Sequence, residues 1–464
     1  MIVRFLGGVR TVTGSLYLIS SGGRNILVEC GIFQGPRAQT YERNLNFQFD
    51  PSTIDALLLS HAHIDHSGNI PNLVKKGFKG NIFCTHATRD LCAAMLRDSA
   101  HVLESDVRYV NKKREEKGEP PLQPLYTIED VERCMPQFVG VGYGRWIEVS
   151  DGIRAMFKDA GHILGSAMIV IEADGTRLLF SGDIGRAKMP ILKDPEDPGP
   201  ADFLLCESTY GGRVHKPYQE MERELGRIVG ETYEAGGRVV IPSFAVGRAQ
   251  ELVYAFHNLF VKGELPEIPI YVDSPLAVNV TEIFRLHPEC FDEETRGFLA
   301  KGDDPFGFWR INYIRDVEDS KRLNEMDGPM VIISASGMCE SGRILHHLKH
   351  SIGDPRNTII IVGYQAQGTL GKRLVERVPV VRIFGEEYEL RARVEVLNGF
   401  SSHADRPELL RYIASVASAS RGGLKGLFIV HGDEDQSQAL ADAASSLGVD
   451  NIAVPRVGEE FDLG

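Results

Sequence analysis

The segment from Ser60 to His66 constrains this chain more than any other feature. It reads Ser-His-Ala-His-Ile-Asp-His and follows the apolar run at 56–59, which predicts a buried strand. Three imidazoles and one carboxylate therefore lie in a tight connection between that strand and a helix expected from about Asn69. Imidazole nitrogen and carboxylate oxygen are the ligands that zinc and similar divalent metals prefer. Two histidines in a loop are usually just solvated, but four potential ligands in one short turn predict a metal site.

Length and composition exclude several classes of protein. A chain of 464 residues predicts about three domains, or two large ones. No apolar run approaches the roughly 18 residues of a membrane-spanning helix, and the N-terminus lacks a secretory pattern, so we expect no membrane partner. Seven cysteines without a C-x-x-C pair argue against a disulfide framework and favour a cytoplasmic location. A net charge of −13 argues against nonspecific coating of nucleic acid, although a locally basic groove remains compatible with it.

The secondary-structure pattern changes along the chain. Before about residue 208 strands dominate, with a long polar helix over about 88–117 and a capping box at Thr127 and Asp130 that opens another helix. Beyond it, helices and strands alternate regularly, which predicts parallel strands covered by helices. The expected helices are 219–235 and 249–260, and the expected strands are 238–241, 268–272, 330–334, 358–362 and 380–383. The tail continues the alternation with strand 394–397, helix 407–417, strand 427–430 and helix 437–447.

Further polar residues follow other predicted strands. Asp183, Glu207 and His431 each come directly after an apolar run, and His403 comes soon after strand 394–397. His162 is expected at a hairpin turn between strands near 155–158 and 167–171. A single histidine at a strand end is usually an ordinary polar cap. Because open α/β sheets build their sites at strand ends, the repeated placement predicts one shared rim.

Taken together, these motifs resemble a known superfamily. The spacing His61-x-His63-x-Asp65-His66, followed by His162 and Asp183, resembles the ligand signature of the metallo-β-lactamase superfamily. Five further motifs resemble its β-CASP branch, which includes the pre-mRNA 3′-end cleavage nuclease, ribonuclease J and small bacterial and archaeal RNA-processing proteins. These motifs are Glu-Ser-Thr-Tyr-Gly at 207–211, Ser-Phe-Ala-Val-Gly-Arg-Ala-Gln-Glu at 243–251, Ser-Ala-Ser-Gly-Met at 334–338, Ser-Ser-His-Ala-Asp at 401–405 and His-Gly-Asp at 431–433. The resemblance thus covers nearly the whole chain.

The resemblance implies a fold and a metal content. The α/β fold would be an αββα metallo-β-lactamase sandwich made from 1–207 and 396–464. A β-CASP domain of mainly parallel sheet, at 208–395, would interrupt it. One zinc ion would take His61, His63, His162 and Asp183. A second would take Asp65, His66, Asp183 and His431, so that Asp183 bridges the two ions.

The resemblance also implies an activity. We expect a zinc-dependent ribonuclease that cleaves single-stranded RNA endonucleolytically with a hydroxide shared between the metals, leaving a 5′-phosphate and a 3′-hydroxyl. Asp65 would orient the hydroxide and His403 would protonate the leaving oxygen as general acid. Glu207 would hydrogen-bond His403 and keep it protonated.

One position departs from the family pattern. Glu29 stands where relatives usually carry an aspartate that supports the histidine turn. Loss of such supporting contacts commonly costs about 10–100-fold in metal affinity or activity. The extra methylene is therefore expected to retune the site. His431-Gly432-Asp433, where relatives often show glutamate, is a milder change.

Substrate contacts are expected from Ser336, Gly337, Arg343 and Arg248. Both arginines follow glycines in turn-like segments, and the Ser-Gly pair offers a hydroxyl and a backbone N–H to a phosphate. Alternatively, Ser336 caps the following helix and the arginines pair with acidic side chains. The histidines at 346, 347 and 350 are expected on a solvated helix face, and Asp405 is expected to be an N-cap.

Other functions stay open at this stage. A 5′-exoribonuclease fits the same motifs, and so does a catalytically silent RNA-binding scaffold, although here every ligand position is filled. A small-molecule hydrolase, such as a thioesterase or lactonase, would share the 61–66 signature but would not need Glu207, His403 or Arg248. A DNA-directed nuclease is a further alternative. Dimerisation is compatible with the sequence, which carries no signature for it.

Overall fold

The computed structural model describes residues 1–35, 37–363, 365–449 and 451–464, with the side chains of residues 37–39 left out. It divides into two compact units. The first unit comprises Met1–Ala187, Asp194–Val214 and His403–Gly464, and the second comprises Lys188–Lys193 and His215–Ser402. The domain boundaries expected from the sequence, 208 and 396, lie a few residues before the divisions at 215 and 403.

The helices and strands follow in chain order. The first unit begins with β1 (Ile2–Gly7), β2 (Leu16–Ser21), β3 (Arg24–Val28), α1 (Arg37–Leu45), β4 (Ala56–Leu58), α2 (Ile64–Ser67), α3 (Ile70–Lys75), β5 (Asn81–Thr85), α4 (His86–Glu115), α5 (Ile128–Cys134), β6 (Phe138–Val141), β7 (Trp146–Ser150), β8 (Ile153–Asp159), β9 (Ala167–Ala173), β10 (Thr176–Phe180) and β11 (Phe203–Glu207). The second unit contains α6 (Tyr218–Glu234), β12 (Val239–Pro242), α7 (Arg248–Val261), β13 (Ile270–Asp273), α8 (Pro275–Leu286), α9 (Glu293–Ala300), β14 (Ile311–Ile314), α10 (Val317–Glu325), β15 (Val331–Ser334), α11 (Ile344–Ser351), β16 (Thr358–Ile361), α12 (Leu370–Val375), β17 (Val380–Ile383), β18 (Glu386–Glu389) and β19 (Arg393–Val396). The first unit closes with α13 (Arg406–Ala419), β20 (Gly426–Val430), α14 (Glu434–Ala444), β21 (Ile452–Ala453) and β22 (Glu460–Asp462).

The first unit is a sandwich of two sheets. Within the described residues, one sheet has the order β22-β1-β2-β3-β4-β5-β6 and the other β21-β20-β11-β10-β9-β8-β7. Aromatic side chains fill the space between them: the ring centroids of Phe5 and Phe428 lie 5.4 Å apart, as do those of Tyr17 and Phe180. Helices α13 and α14 bury apolar residues against the outer face of the second sheet, and α4 packs on β5 and β6 of the first. This arrangement is the predicted αββα sandwich, so the expected fold class is confirmed.

The second unit is a three-layered α/β domain. Its sheet has the order β14-β13-β15-β12-β16-β19, and every pairing in it is parallel. Apolar residues of α6, α7 and α8 pack on one face, and those of α11 and α12 pack on the other. Strands buried on both faces carry near-continuous apolar runs, as Val331–Ser334 does. The prediction of parallel strands covered by helices is therefore confirmed.

Two strand predictions were wrong in their placement. Val380–Ile383 is not part of the parallel sheet but pairs antiparallel with Glu386–Glu389. Phe384 and Gly385 connect the two strands with φ of 53° and 86°, the geometry of a two-residue hairpin turn. The sequence predicts strand 394–397 as part of the tail, but Arg393–Val396 pairs parallel with Thr358–Ile361 at the edge of the second unit's sheet.

None of the helices in the described ranges is both long and apolar enough to cross a membrane. The seven cysteines are buried and none forms a disulfide within the described chain.

Candidate metal centre

The histidine turn is held in place by the backbone of a neighbouring segment. The N–H groups of Cys30 and Ser15 donate to the carbonyl oxygens of His66 and Asp65, at 2.7 and 2.9 Å. Gly31 lies so close to the turn that a Cβ there would fall 1.6 Å from the Asp65 oxygen. Only glycine therefore permits this approach, which sets the position of α2 and of its two candidate ligands, Asp65 and His66.

His162 is positioned by a hairpin turn, as the sequence predicts. The strands Ile153–Asp159 and Ala167–Ala173 pair antiparallel on either side of it. The hydroxyl of Ser166 accepts hydrogen bonds from the N–H groups of His162 and Ile163, at 3.0 and 3.2 Å. Gly185 packs so closely against this turn that a Cβ added to Gly185 would lie 1.9 Å from the Gly161 oxygen.

His431 extends from the end of β20 in a rarely used backbone conformation. Its φ is +46°, in the left-handed region that residues other than glycine seldom adopt. Its N–H donates to the oxygen of Gly8 at 2.7 Å, and its own oxygen accepts the N–H of Ser208 at 3.1 Å. The hydroxyl of Ser15 hydrogen-bonds its Nδ1 at 3.0 Å. These contacts aim Nε2 of His431 at the other candidate ligands.

Four of the predicted ligands form one cluster. His61 Nε2 lies 3.1 Å from His63 Nδ1, which lies 3.3 Å from His162 Nε2. Asp183 Oδ2 is 3.4 Å from His61 Nε2 and 3.5 Å from His162 Nε2. Zinc bonds of about 2.0–2.1 Å in tetrahedral geometry would separate ligand atoms by about 3.3 Å. The residues present therefore fit a tetrahedral metal ion.

A second cluster shares Asp183 with the first. Asp183 Oδ1 lies 3.4 Å from His66 Nε2 and 3.5 Å from His431 Nε2. Asp65 Oδ2 lies 3.9 and 3.8 Å from the same two nitrogens. Nε2 of His66 and Oδ1 of Asp183 are buried, and neither makes a hydrogen bond to the described residues. Buried polar atoms without partners at the centre of four ligand-type side chains fit a bound cation.

Burial sets the charge of the first cluster. It lowers the pKa of the His61 imidazole to about 3 and that of His63 to about 4. It also lowers the pKa of His162 well below its ordinary value. These three rings are therefore neutral near pH 7, which is the form that binds metals.

The second cluster has a different electrostatic balance. Burial disfavours charge on His66, but the carboxylates of Asp183 and Asp65 outweigh it and hold its pKa well above the ordinary value. Burial likewise opposes ionisation of Asp183, yet His431 and His66 keep its pKa well below the usual range. Asp183 is therefore ionised and supplies the negative charge that both clusters share.

Glu207 and His403 meet beside Asp183. His403 Nδ1 lies 3.2 Å from Glu207 Oε1 and 3.9 Å from Asp183 Oδ2. The buried Glu207 carboxylate also accepts the N–H groups of Ile184, at 2.7 Å, and Thr209, at 3.2 Å. Burial disfavours charge on His403, but the Glu207 carboxylate raises its pKa above the ordinary value. The expected contact between the two side chains is present.

The two arginines proposed for substrate contact, both in the second unit, differ in their surroundings. Arg343 donates to Oδ1 of the buried Asp273 at 2.6 Å and to the oxygen of Arg315 at 2.8 Å, as the acid-pairing alternative expects. Arg248 lies 3.4 Å from Glu251, yet its Nε and Nη1 are buried and form no hydrogen bond with the described residues.

Ser336 and Gly337 belong to a turn of the second unit. The Ser336 hydroxyl accepts the N–H groups of Glu340 and Ser341, at 3.2 and 3.4 Å. Helix α11 begins at Ile344 with Arg343 as its N-cap, so the alternative that Ser336 caps this helix is wrong. A Cβ at Gly337 would lie 3.0 Å from the ring of Phe244, so glycine suits this close packing.

The second unit contains a buried polar network that the sequence did not predict. Asp273 Oδ2 lies 2.6 Å from His347 Nε2 and accepts the Ser320 hydroxyl at 2.5 Å. His347 Nδ1 lies 2.9 Å from Asn324 Oδ1. The prediction of a solvated face was therefore wrong for His347, which is fully buried. Residues so far apart in sequence carry no spacing signal that could have joined them.

Comparison with known proteins agrees with this fold. The chain matches the metallo-β-lactamase superfamily over residues 9–219, the Beta-Casp domain over 249–374 and the Zn-dependent metallo-hydrolase RNA specificity domain over 387–455. The chain therefore belongs to the β-CASP branch of the metallo-β-lactamase superfamily, and it is a hydrolase. The family resemblance inferred from the motifs is confirmed.

Several individual proteins are similar over most of the chain. A ribonuclease of Thermus thermophilus is 39% identical over 98% of this chain and 98% of its own length. The transcription termination factor FttA of Methanocaldococcus jannaschii is 32% identical over 98% of this chain and 70% of its own. The endoribonuclease YSH1 of Yarrowia lipolytica is 32% identical over 99% of this chain and 54% of its own. Among solved structures, a protein of unknown function from Enterococcus faecalis shares the fold, with a TM-score of 0.55 and 13% identity over 99% of each chain.

Proposed function

We propose that this protein is a zinc-dependent endoribonuclease that cleaves single-stranded RNA and leaves a 5′-phosphate and a 3′-hydroxyl. The observation that carries the proposal is the pair of buried ligand clusters that share Asp183, beside the Glu207–His403 pair. The names of the ribonuclease and endoribonuclease relatives support RNA as the substrate. The cytoplasmic location and a homodimer stay predictions from the sequence.

The ligand roles follow from the two clusters. His61, His63, His162 and Asp183 would hold one ion. Asp65, His66 and His431 would hold the second, together with Asp183. When bound, two such ions supply positive charge for the phosphodiester oxygens and lower the pKa of water toward about 7.

The protein's own side chains account for orientation and proton transfer. Asp65 is only partly buried, so one carboxylate oxygen can accept a hydrogen bond from the attacking water and orient it. His403 carries its proton toward the leaving 3′-oxygen, and Glu207 holds the ring through Nδ1. Protonation of the leaving oxygen matters because an alkoxide is a poor leaving group.

Substrate binding is proposed for residues of the second unit. Arg248 is the strongest candidate because its buried Nε and Nη1 form no hydrogen bond with the described residues, and a phosphate would provide one. Ser336 and Gly337 would add a hydroxyl and a backbone N–H. Arg343 is already held by Asp273, so its second role would be to place the preceding turn.

The proposal can be tested against its alternatives by comparing substrates. Metal-loaded protein is expected to cleave an unstructured RNA far faster than a DNA of the same sequence, a thioester or a lactone. Asp183→Asn, which removes the shared ligand, should abolish cleavage together with metal binding. Faster turnover of the thioester or lactone would instead identify a small-molecule hydrolase, and faster cleavage of the DNA would identify a DNA-directed nuclease.

A further inference from the structure

Glu29 connects to both ligand clusters from behind the histidine turn. It is fully buried, and its φ of +65° places it in the left-handed region. Its Oε1 accepts the Ser60 N–H at 2.7 Å, and its Oε2 accepts the Ser60 hydroxyl at 2.9 Å. The same Oε2 accepts a hydrogen bond from Nδ1 of His66. One carboxylate therefore receives three hydrogen bonds from the turn that carries the ligands.

These contacts determine where the imidazole protons lie. The Ser60 hydroxyl gives its hydrogen to Glu29 Oε2, the carboxylate oxygen that accepts it. The Ser60 oxygen is then left to accept from Nδ1 of His61, which lies 2.9 Å away. With the hydrogen on Nδ1, a neutral imidazole presents its lone pair on Nε2.

The same reasoning applies to His66. Its Nδ1 donates to Glu29, so Nε2 is the atom that would give up its proton and bind a metal ion. The Nε2 atoms of His61 and His66 each lie 3.4 Å from a different oxygen of Asp183. Glu29 thus acts on one histidine of each cluster, directly on one and through Ser60 on the other.

We propose that Glu29 and Ser60 form a proton-ordering relay that fixes the Nδ1–H tautomer of both His61 and His66, so that one carboxylate positions a ligand for each of the two metal ions. This inference rests on the proposed metal-dependent function. His431 lies outside the relay because its Nδ1 contacts Ser15 instead. Positions 29 and 60 are therefore positioning residues and not ligands.

The relay predicts different effects for two substitutions. Ser60→Ala removes only the link to His61, so binding of the first ion should weaken by about 10–100-fold while the second ion is retained. Glu29→Gln keeps the size of the side chain but replaces one acceptor with an NH₂ donor. Because Oε1 must still accept the Ser60 N–H, the NH₂ group takes the Oε2 position and would donate to Ser60 and His66. Both tautomers would be reversed, and both ions should bind about 10–100-fold more weakly.

Ser67→Ala is the matched control. Ser67 is a fully buried serine of the same turn, and its hydroxyl donates to the oxygens of Ala62 and His63, at 2.8 and 3.1 Å. The substitution removes a buried hydroxyl of the turn without touching the Glu29–Ser60 contacts. The Ser67→Ala protein is therefore expected to keep both ions.

Two measurements test the relay. The first is the metal-to-protein ratio by mass spectrometry after dialysis against buffered zinc, for wild type and the three variants. The second is the tautomer of His61 in the metal-free protein at pH 8, read from long-range nitrogen–hydrogen NMR correlations of histidine labelled with ¹⁵N. Wild type and Ser67→Ala should show the Nδ1–H form, and Glu29→Gln should show the Nε2–H form.

Equal metal loss in Ser60→Ala and Ser67→Ala would overturn the relay, since the loss would then reflect general damage to the turn. An Nε2–H tautomer of His61 in wild type would overturn it as well. Neither measurement uses RNA. If both follow the prediction but RNA is not cleaved, the proposed ribonuclease function fails while the relay stands.

Discussion

At the scale of single residues, neighbouring groups give chemically identical histidines different roles. His61 and His162 are buried, and their pKa values are lowered, so their rings are neutral near pH 7 and suited to holding a cation. Burial disfavours charge on His403 as well, but the Glu207 carboxylate raises its pKa. A ring that keeps its proton near neutral pH can act as a general acid. Among these three rings, the one with a carboxylate at its Nδ1 is His403.

The proposed role of His403 as general acid can be tested separately from metal binding by changing the leaving group of the substrate. His403→Ala is expected to reduce the cleavage rate of ordinary RNA by about 10²–10⁴-fold. An RNA with sulfur in place of the 3′-oxygen at the scissile bond needs no proton on its leaving group, so the defect should largely vanish. Single-turnover rates on both substrates, with metal content measured in parallel, provide the comparison.

Asp183→Asn is the control for this comparison, because loss of the shared ligand should impair cleavage of both substrates. If His403→Ala loses metal, or is equally slow on the sulfur substrate, then His403 acts as a ligand or a structural group and not as an acid.

At the scale of elements, the site depends on close backbone packing against short helices. Gly31→Ala would place a methyl group 1.6 Å from the Asp65 oxygen and displace α2. We expect a loss of about 1–3 kcal/mol in the free energy of unfolding, together with weaker metal binding. Thermal unfolding of the metal-free protein and zinc titration measure the two effects separately.

Gly142→Ala is the matched comparison, because a Cβ there meets nothing within 4 Å and its φ is not positive. It should change stability by no more than about 0.5 kcal/mol. If alanine at 31 is tolerated as well as alanine at 142, the described approach of the two segments is incorrect.

The network of the second unit ties helix α11 to strand β13 through Asp273. Burial opposes ionisation of this carboxyl, but hydrogen bonds from His347, Ser320 and Arg343 keep its pKa below the ordinary value. Its stabilising contribution is therefore complete above the ordinary carboxyl pKa of about 3.9 and is lost as the pH falls below about 4. Asp273→Asn should cost about 3–5 kcal/mol at pH 7, because Arg343 loses its buried partner, and progressively less in acid.

Thermal unfolding of metal-free wild type and variant at several pH values tests this dependence. Asp319→Asn, which removes an exposed pair with Arg322 on α10, should have little effect at any pH. A stability difference for Asp273→Asn that stays constant between pH 7 and pH 3 would contradict the account.

Structural features that depend on local sequence signals could be predicted, whereas features that depend on contacts between distant residues could not. The capping boxes of Thr127 with Asp130 and of Asp405 with Glu408 are present, and both depend on residues only three apart. The hairpin of Val380–Ile383 was missed because an apolar run has the same appearance in a parallel and an antiparallel sheet. The burial of His347 depends on Asp273, more than seventy residues earlier, and no local pattern encodes such a partner.

At the scale of the whole molecule, the first unit is assembled from distant parts of the chain. Strand β11, which ends at Glu207, pairs parallel with β20, which leads to His431. The second unit's residues 215–402 lie between these strands in sequence. Both clusters share Asp183, but the second also needs His431, so it can form only after the C-terminal segment has joined the N-terminal part of the first unit.

This layout explains why the convergence of the candidate ligands is easier to predict from sequence motifs than the substrate contacts, which stay predictions. The candidate ligands all lie in the first unit and converge on Asp183. Arg248, Ser336 and Arg343 belong to the second unit, and the local sequence around each shows neither which donors remain unpaired nor which are already held by acids.

The central claim is metal-dependent cleavage within an RNA strand, and mapping the products tests it most directly. A single-stranded RNA labelled at its 5′ end should yield internal fragments with 3′-hydroxyl ends in the presence of zinc-loaded protein. The downstream fragments should carry 5′-phosphates, and all products should disappear after treatment with a chelator. Release of labelled mononucleotides alone would indicate a 5′-exonuclease. Intact RNA in the presence of fully metal-loaded protein would contradict the account.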